Sequence, residues 1–412
     1  MIQSPYRSRS VTLFCAVLVV SCHSVWSLAA SAPAHREDLF ATSDAGIEIH
    51  VREVRTDTRN PCEPILLVHG ARVPGVASFD LPVAGGSLAA DLADKGFCAY
   101  VMDVRGYGRS TRPSEMEQPA QNRLPAVRSL DAVRDIDAAL ELIRKRTGAS
   151  RVSLFGWATG GQWAGYYATL HSDKLSHLIL LKALYGADAP HPLMGHGSDM
   201  EDPAHPGRLN PSIGAYRCNT AESLLGGWTR SIPVEDKAAW RDPAVADAYV
   251  REALASDPET NKHNPPCFRS PNGALEDSFY LATGRQLWDA SFIYVPTLVL
   301  VSERDFWSRP ADREKIAHDL VHASVRVVVI PNALPDRRNL GFQAVSIPLR
   351  GRGYCFRKWW RQAVSAFALL ASTFLYSLKL RRFVEHSDSI LLNSLLPAPC
   401  WLLSHQTRQT RP

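Results

Sequence analysis

The chain has 412 residues, 46 Lys/Arg against 41 Asp/Glu, a formal net charge of +5 and 45% hydrophobic residues. That composition is ordinary for a globular protein, and the length suits one core plus an insertion better than a single compact unit. The charge is uneven, since residues 335–412 hold 12 Lys/Arg against 3 Asp/Glu, leaving 34 against 38 elsewhere. No basic stripe crosses that larger part, which excludes an obvious nucleic-acid surface.

In chain order, the first element reads as an export signal over residues 1–32. Arg7 and Arg9 precede an apolar run, Val11–Val20, and Ala30-Ser31-Ala32 fits an A-x-A cleavage site. The expectation is an exported protein, periplasmic or secreted. A lipid-modified Cys22 and an uncleaved membrane anchor are the alternatives, the apolar run being short for a bilayer span. Export permits disulfides. Cys62 and Cys98 stand at the starts of neighbouring apolar segments, and Cys218 and Cys267 share a later segment. Either pair could bridge, and free buried thiols are the alternative, because connectivity does not follow from sequence alone.

Pro64–Ala71 is a short apolar run ending in His69-Gly70. A helix is expected over Ser87–Lys95, then a strand over Phe97–Asp103 leading into Val104-Arg105-Gly106-Tyr107-Gly108-Arg109-Ser110. Ser129–Arg146 carries Val133, Ile136, Leu140 and Ile143 at helical spacing, with Ser129 as N-cap and Gly148 just past the end. An apolar strand then runs into Gly156-Trp157-Ala158-Thr159-Gly160, and a helix follows over Trp163–Leu170. Leu178–Leu181 reads as a further buried strand, Val295–Val301 as the point where the core resumes, Val325–Ile330 as the last strand, and Pro243–Ser256 as a helix. Strands alternating with helices imply a mostly parallel, doubly wound α/β sheet.

The three motifs together (apolar strand to His-Gly, D-x-R-G-x-G-x-S, and a strand-turn-helix of form G-x-x-x-G) resemble the α/β-hydrolase fold over roughly residues 40–333. The resemblance implies a core in two parts, 38–186 and 293–333, with a helical cap inserted at 187–292. The last motif is similar to the nucleophile elbow G-x-S-x-G, with Ala158 in the place of the serine. A methyl group cannot attack a carbonyl. The same resemblance implies oxyanion donors at the N–H groups of Ala71 and Thr159, and an acid at Asp305 after the Val295 strand. A helix cap or an Arg partner is the other role open to Asp305, and His69 reads as a structural strand-end residue. The histidine base belongs in the loop after Val325–Ile330, which reads Pro331-Asn332-Ala333-Leu334-Pro335-Asp336-Arg337-Arg338 and contains none. His318 and His322 precede that strand, at the wrong end of the sheet.

Function is therefore expected to be that of an exported relative of esterase-like serine hydrolases with impaired chemistry, or of a ligand-binding pseudoenzyme. Its partner would be a small apolar molecule between core and cap, where Tyr216, Trp228, Trp240, Phe279, Tyr280 and Trp288 could either line a pocket or pack the cap. No cofactor is expected, because no His/Cys/Asp cluster shows metal-ligand spacing and no phosphate-binding glycine loop is present. The basic, apolar tail at 334–412 supports three readings. It is a membrane contact, a helix packed on the core, or the product of a shifted reading frame that replaced the native C-terminus and its histidine, which we rank first.

Overall fold

A computed structural model describes residues 34–57, 61–121, 123–231, 235–236, 242–302, 305 and 307–330. The expected signal segment, the loop after Ile330 and the basic tail lie outside them. Among the described residues, no helix is long and apolar enough to cross a membrane.

Ten strands and eight α-helices are described. Eight strands form one sheet: β1 (His35–Thr42), β2 (Glu48–Arg55), β3 (Glu63–Val68), β4 (Phe97–Met102), β5 (Val152–Trp157), β6 (Leu175–Leu181), β9 (Thr297–Ser302) and β10 (Val325–Ile330). Their spatial order is β1-β2-β4-β3-β5-β6-β9-β10. β1 and β2 pair antiparallel, as do β2 and β4. Every other neighbour pair is parallel. The central strands β4 and β5 are buried along their whole length, as the unbroken apolar runs demand when helices cover both faces.

One face carries α3 (Ser129–Thr147), α4 (Thr159–Leu170) and α8 (Pro310–Asp319). There Val133, Ile136, Leu140, Trp163, Tyr167 and Ile316 pack on Leu66, Leu154 and Val299. The other carries α1 (Gly75–Phe79) and α2 (Leu88–Ala93), with Phe79, Leu88 and Leu92 against Ile65, Phe155 and Leu298. Each fully buried side chain of this size contributes about 1.5–3 kcal/mol by leaving water. Between β6 and β9 lie a two-stranded ribbon, β7 (Tyr216–Thr220) with β8 (Cys267–Pro271), and the helices α5 (Ala221–Ser231), α6 (Pro243–Ala255) and α7 (Gly273–Ala282). Leu224, Val245, Tyr249 and Phe268 of this insertion close over Val73, Ala77 and Leu81 of the segment after β3. Disulfides join Cys62 to Cys98, Cα–Cα 5.5 Å, and Cys218 to Cys267 across the ribbon, Cα–Cα 5.4 Å.

Two local readings need correction. The N-cap of α3 is Arg128, not Ser129, and Asp131 closes the box by accepting from the Arg128 N–H at 2.8 Å. Ser129 instead donates through Oγ to Asp277 of α7 at 2.7 Å, a long-range partner that local spacing does not reveal. β6 begins at Leu175, three residues before the expected start, because Ser176 and His177 are only half-buried and interrupt the apolar run.

Candidate functional site

The parallel strands end on one edge, where ligands of open α/β sheets bind. β5 delivers Ala158 to that edge in a strained conformation, φ 53° and ψ −116°. Non-glycine residues avoid that region, so the surrounding structure must hold it. Two hydrogen bonds and the glycines beside it do so. The Ala158 N–H donates to Leu181 O at 2.8 Å, the Gly161 N–H returns to Ala158 O at 2.9 Å, and glycines let the chain fold back on itself. A Cβ on Gly156 would overlap the Gly160 carbonyl, and one on Gly160 would overlap the carbonyls of Val68 and His69. The glycines of the motif thus serve close approach between β5, α4 and the end of β3. Ala158 is 7% exposed, more enclosed than a position opening on solvent.

The His69-Gly70-Ala71 loop lies directly against the bend; a Cβ on Gly70 would sit 3.6 Å from that of Ala158. His69 is a structural group. Its Nδ1–H donates to Gly70 O at 2.7 Å and its Nε2 accepts from the Val104 N–H at 3.1 Å. Burial pushes its pKa down, keeping the ring neutral as this pair of bonds requires. The Ala71 carbonyl is held twice, by Tyr107 Oη at 2.8 Å and Arg217 at 2.6 Å. The Ala71 N–H, in the preceding peptide, has no acceptor among the described residues. Thr159 opens α4, where the first N–H groups have no intrahelical partner.

Asp305 follows β9. Its N–H donates to Ser302 O at 3.1 Å, and its Oδ1 accepts from the N–H groups of Trp307 at 2.9 Å and Ser308 at 3.2 Å. The carboxylate does not pair with Arg309, which binds Asp312 at 2.7 Å. The Oδ2 of Asp305 is buried with no hydrogen-bond partner among the described residues. Burial raises the Asp305 pKa, against the nearby charge of Lys182 and the two N–H bonds. Ala71, Ala158 and Thr159 therefore meet at one point, while Asp305 stands two strands away, β5 to β6 to β9. At about 4.8 Å per strand this is about 10 Å.

Two residues near Asp305 went unnoticed in the sequence. Lys182, directly after β6, is 8% exposed with φ 55°. Its N–H donates to Leu300 O at 2.9 Å, and its side chain has no hydrogen bond or ion pair among the described residues. The signal was present, a charge closing the apolar run Leu178–Leu181 at the carboxyl edge. His191 donates from Nε2 to Trp307 O at 3.1 Å and accepts at Nδ1 from the Leu193 N–H at 3.1 Å. Both nitrogens are occupied, and burial pushes its pKa down to about 4, so it offers no free base. His318 is an exposed partner of Asp319, and His322 stacks on Tyr294, just before β9 begins.

Of the insertion's aromatics, Phe279 is fully buried, and Trp288 packs on Tyr185 with centroids 4.4 Å apart. Tyr280 lies under Arg285 at 4.6 Å and Tyr216 beneath Arg269 at 6.0 Å. The side chain of Trp228 and all of Trp240 lie outside the described residues. A cleft of about 590 Å³ opens elsewhere, between the end of β1 and α3, lined by Phe40, Asp44, Arg134, Glu141 and His171. Cys218, His263 and Cys267 come within 4.8 Å of one another, a metal-like spacing. The two sulfurs are bonded to each other, so neither is the thiolate a metal needs.

A mostly parallel eight-stranded sheet, a nucleophile-elbow bend after β5 and an acid-bearing loop after β9 define an α/β-hydrolase. The chain belongs to the Hydrolase_4 family, serine aminopeptidase, S33, whose model matches residues 84–334. No curated relative matches it in sequence. Solved structures similar to it include a thioesterase domain from the curacin biosynthetic pathway, 15% identical with a TM-score of 0.48 over 82% of this chain and 99% of that one. A serine hydrolase involved in carbazole degradation is 15% identical, TM-score 0.46, over 73% of this chain and 92% of its own. A thermophilic esterase from Thermogutta terrifontis is 20% identical, TM-score 0.43, over 74% and 92%. Likenesses at this level say nothing about reaction or substrate.

Proposed function

We propose that this is an exported α/β-hydrolase-family protein of esterase-like descent whose hydrolytic step is disabled at position 158, leaving a core that holds a small apolar molecule. The observation that carries the reading is Ala158 itself. The backbone strain of an elbow, φ 53°, is kept in full, yet the side chain it presents is a methyl. Acyl transfer needs a nucleophile and a base to activate it. Without them, the oxyanion donors and binding leave about 10³–10⁴-fold over water in a serine hydrolase. The packing that holds Ala158 is otherwise undisturbed, so nothing else in the bend has been rebuilt to supply a different nucleophile. Export is supported by the Arg-flanked apolar start and by two disulfides.

The test is hydrolysis of p-nitrophenyl acetate and butyrate. The unmodified protein is expected to show neither burst nor steady turnover above the level just given. Ala158→Ser combined with a histidine-bearing replacement of residues 331–412 is expected to restore both. Vigorous turnover by the unmodified protein would sink the reading.

A further inference from the structure

The two disulfides among the described residues sit in different surroundings. Cys62–Cys98 ties the residue before β3 to β4, with Cys62 half-buried and Cys98 enclosed in the core. No His, Asp or Glu side chain among the described residues reaches both of its sulfurs. Cys218–Cys267 is open on one side. Cys218 is exposed and Cys267 is 5% exposed, so an incoming group meets Cys218 first. The ring of His263 comes within 4.8 Å of both sulfurs, half-buried and without a hydrogen bond of its own among the described residues. Pro265 and Pro266 separate it from Cys267 and fix φ along the way, so a stiff connection keeps the ring beside the bridge.

The alternation of the ribbon separates the bridge from the ribbon's structural contacts. Cys218 lies opposite Arg269 and Cys267 opposite Thr220, so both sulfurs belong to one face. The other face carries Arg217, Asn219 and Ser270. Arg217 donates to Ala71 O at 2.6 Å, Asn219 Oδ1 accepts from Arg72 Nε at 2.7 Å, and Ser270 Oγ donates to Arg72 O at 2.6 Å. Strand pairing and these bonds hold the ribbon against the segment after β3 whether or not the sulfurs are joined.

A thiolate attacks the disulfide sulfur it can reach, and the other sulfur leaves with the electron pair. Here the leaving sulfur is that of Cys267, and a thiolate is disfavoured in so buried a place. An imidazole beside it meets that need, by passing a proton to the leaving sulfur and taking it back when the sulfur returns to attack.

We propose that the Cys218–Cys267 bridge is a thiol-exchange site, at which Cys218 takes up a low-molecular-weight aliphatic thiol as a mixed disulfide and Cys267, released beside His263, later expels it. In the forward step the bond between Cys218 Sγ and the incoming sulfur forms as the Cys218–Cys267 bond breaks. The proton lost by the incoming thiol ends on Cys267. One disulfide is traded for another, so no further oxidant or reductant is consumed.

The test treats the oxidised full chain with excess reduced glutathione, quenches with acid at early times and maps the sulfurs by peptide mass spectrometry. The expected product carries glutathione on Cys218 and a free thiol on Cys267, formed at least ~10-fold faster than Cys62–Cys98 opens. Dilution into thiol-free buffer should expel the glutathione and restore the bridge. His263→Ala should slow the first step at least ~10-fold, and added free imidazole should recover part of the rate, which a purely structural role would not permit. Glutathione on Cys267, equal opening of the two bridges, no reaction, or a mixed disulfide that persists after dilution would overturn the proposal. So would a His263→Ala rate equal to the parent's, or one that imidazole does not raise.

Discussion

Two aspartates stand at the same edge of the sheet, Asp103 buried and Asp305 half-buried, and the protein treats them oppositely. Asp103, after β4, has every oxygen occupied. Its Oδ1 accepts from the Gly75 N–H at 2.7 Å, and its Oδ2 accepts from His50 Nδ1 at 2.8 Å and the Arg109 N–H at 3.1 Å. Its pKa is lowered although burial alone would raise it, because the His50 bond and charge outweigh desolvation. His50 is itself fully buried, clamped on its other side by Asp38 at 2.9 Å. Asp305, after β9, has one oxygen occupied and one without a partner among the described residues, and its pKa is raised. Where a carboxylate serves only the fold, the chain supplies a full set of donors.

The comparison breaks most violently at Asp103. Asp103→Ala strips the His50 ring of its buried partner and leaves the N–H groups of Gly75 and Arg109 unpaired. Removing one member of a buried pair costs about 3–5 kcal/mol, a large share of a typical folding stability of about 5–15 kcal/mol. The variant is expected to unfold in urea at a far lower midpoint, or to accumulate poorly. A loss under about 1 kcal/mol would show that the clamp is dispensable, and the contrast with Asp305 would lose its meaning. The same contacts explain the loop motif that begins at Asp103. A Cβ on Gly108, φ 55°, would overlap the Asp103 carboxylate, Arg105 is buried against Asp135, and Ser110 Oγ donates to Asp103 O at 2.6 Å.

What the sequence reveals and what it hides divide along the same line. The elbow, α3 and the His69-Gly70 turn are legible because local patterns specify them, through apolar runs for doubly covered strands, helical spacing and glycines where backbone meets backbone, and β10 is legible from its β-branched run alone. The position of Asp305 is legible as a residue after an apolar strand, but its bare oxygen is not. β1 and β2 escape notice because charges interrupt their apolar residues, Arg36 and Asp38 in β1 and Arg52 in β2, and these pair with Asp80 and Arg109 from distant segments. Lys182 shows in the sequence only as a charge closing an apolar run, which the register of β6 on β9 brings near Asp305, and His191 is invisible as a site neighbour because its bond to Trp307 O spans 116 residues. Ser129 misleads as a cap because its partner, Asp277, lies 148 residues away.

A smaller effect sharpens the comparison from the other side. Asp305→Asn keeps an oxygen for the N–H groups of Trp307 and Ser308 but removes the charge that burial disfavours. The raised folded-state pKa means that the native protein holds a proton which the unfolded chain, at the ordinary value of 3.8, has already released. Stability from this group is therefore present at low pH and lost as pH rises through the folded value. The Asn variant should match the parent in strong acid and become the more stable of the two as pH climbs past that window, judged by urea midpoints at a series of pH values. If Asn is the less stable form at pH 7, the carboxylate has a partner that this account denies it.

The smallest effect concerns the bend between the two. Ala158 holds φ 53° with a Cβ, a conformation that costs a non-glycine residue about 1–3 kcal/mol. Glycine adopts it freely but gives up roughly 0.5–1 kcal/mol in chain entropy. Ala158→Gly should therefore stabilise the protein by on the order of 1 kcal/mol, the difference of these terms, and Ala158→Ser should leave stability nearly unchanged. The strain would then be a relic of nucleophile presentation that the fold retains without its chemistry. A loss of stability in the glycine variant would mean that the methyl itself is packing, against Gly70 and the apolar cluster around Phe155 and Leu181. In that case position 158 would be a core residue in its own right.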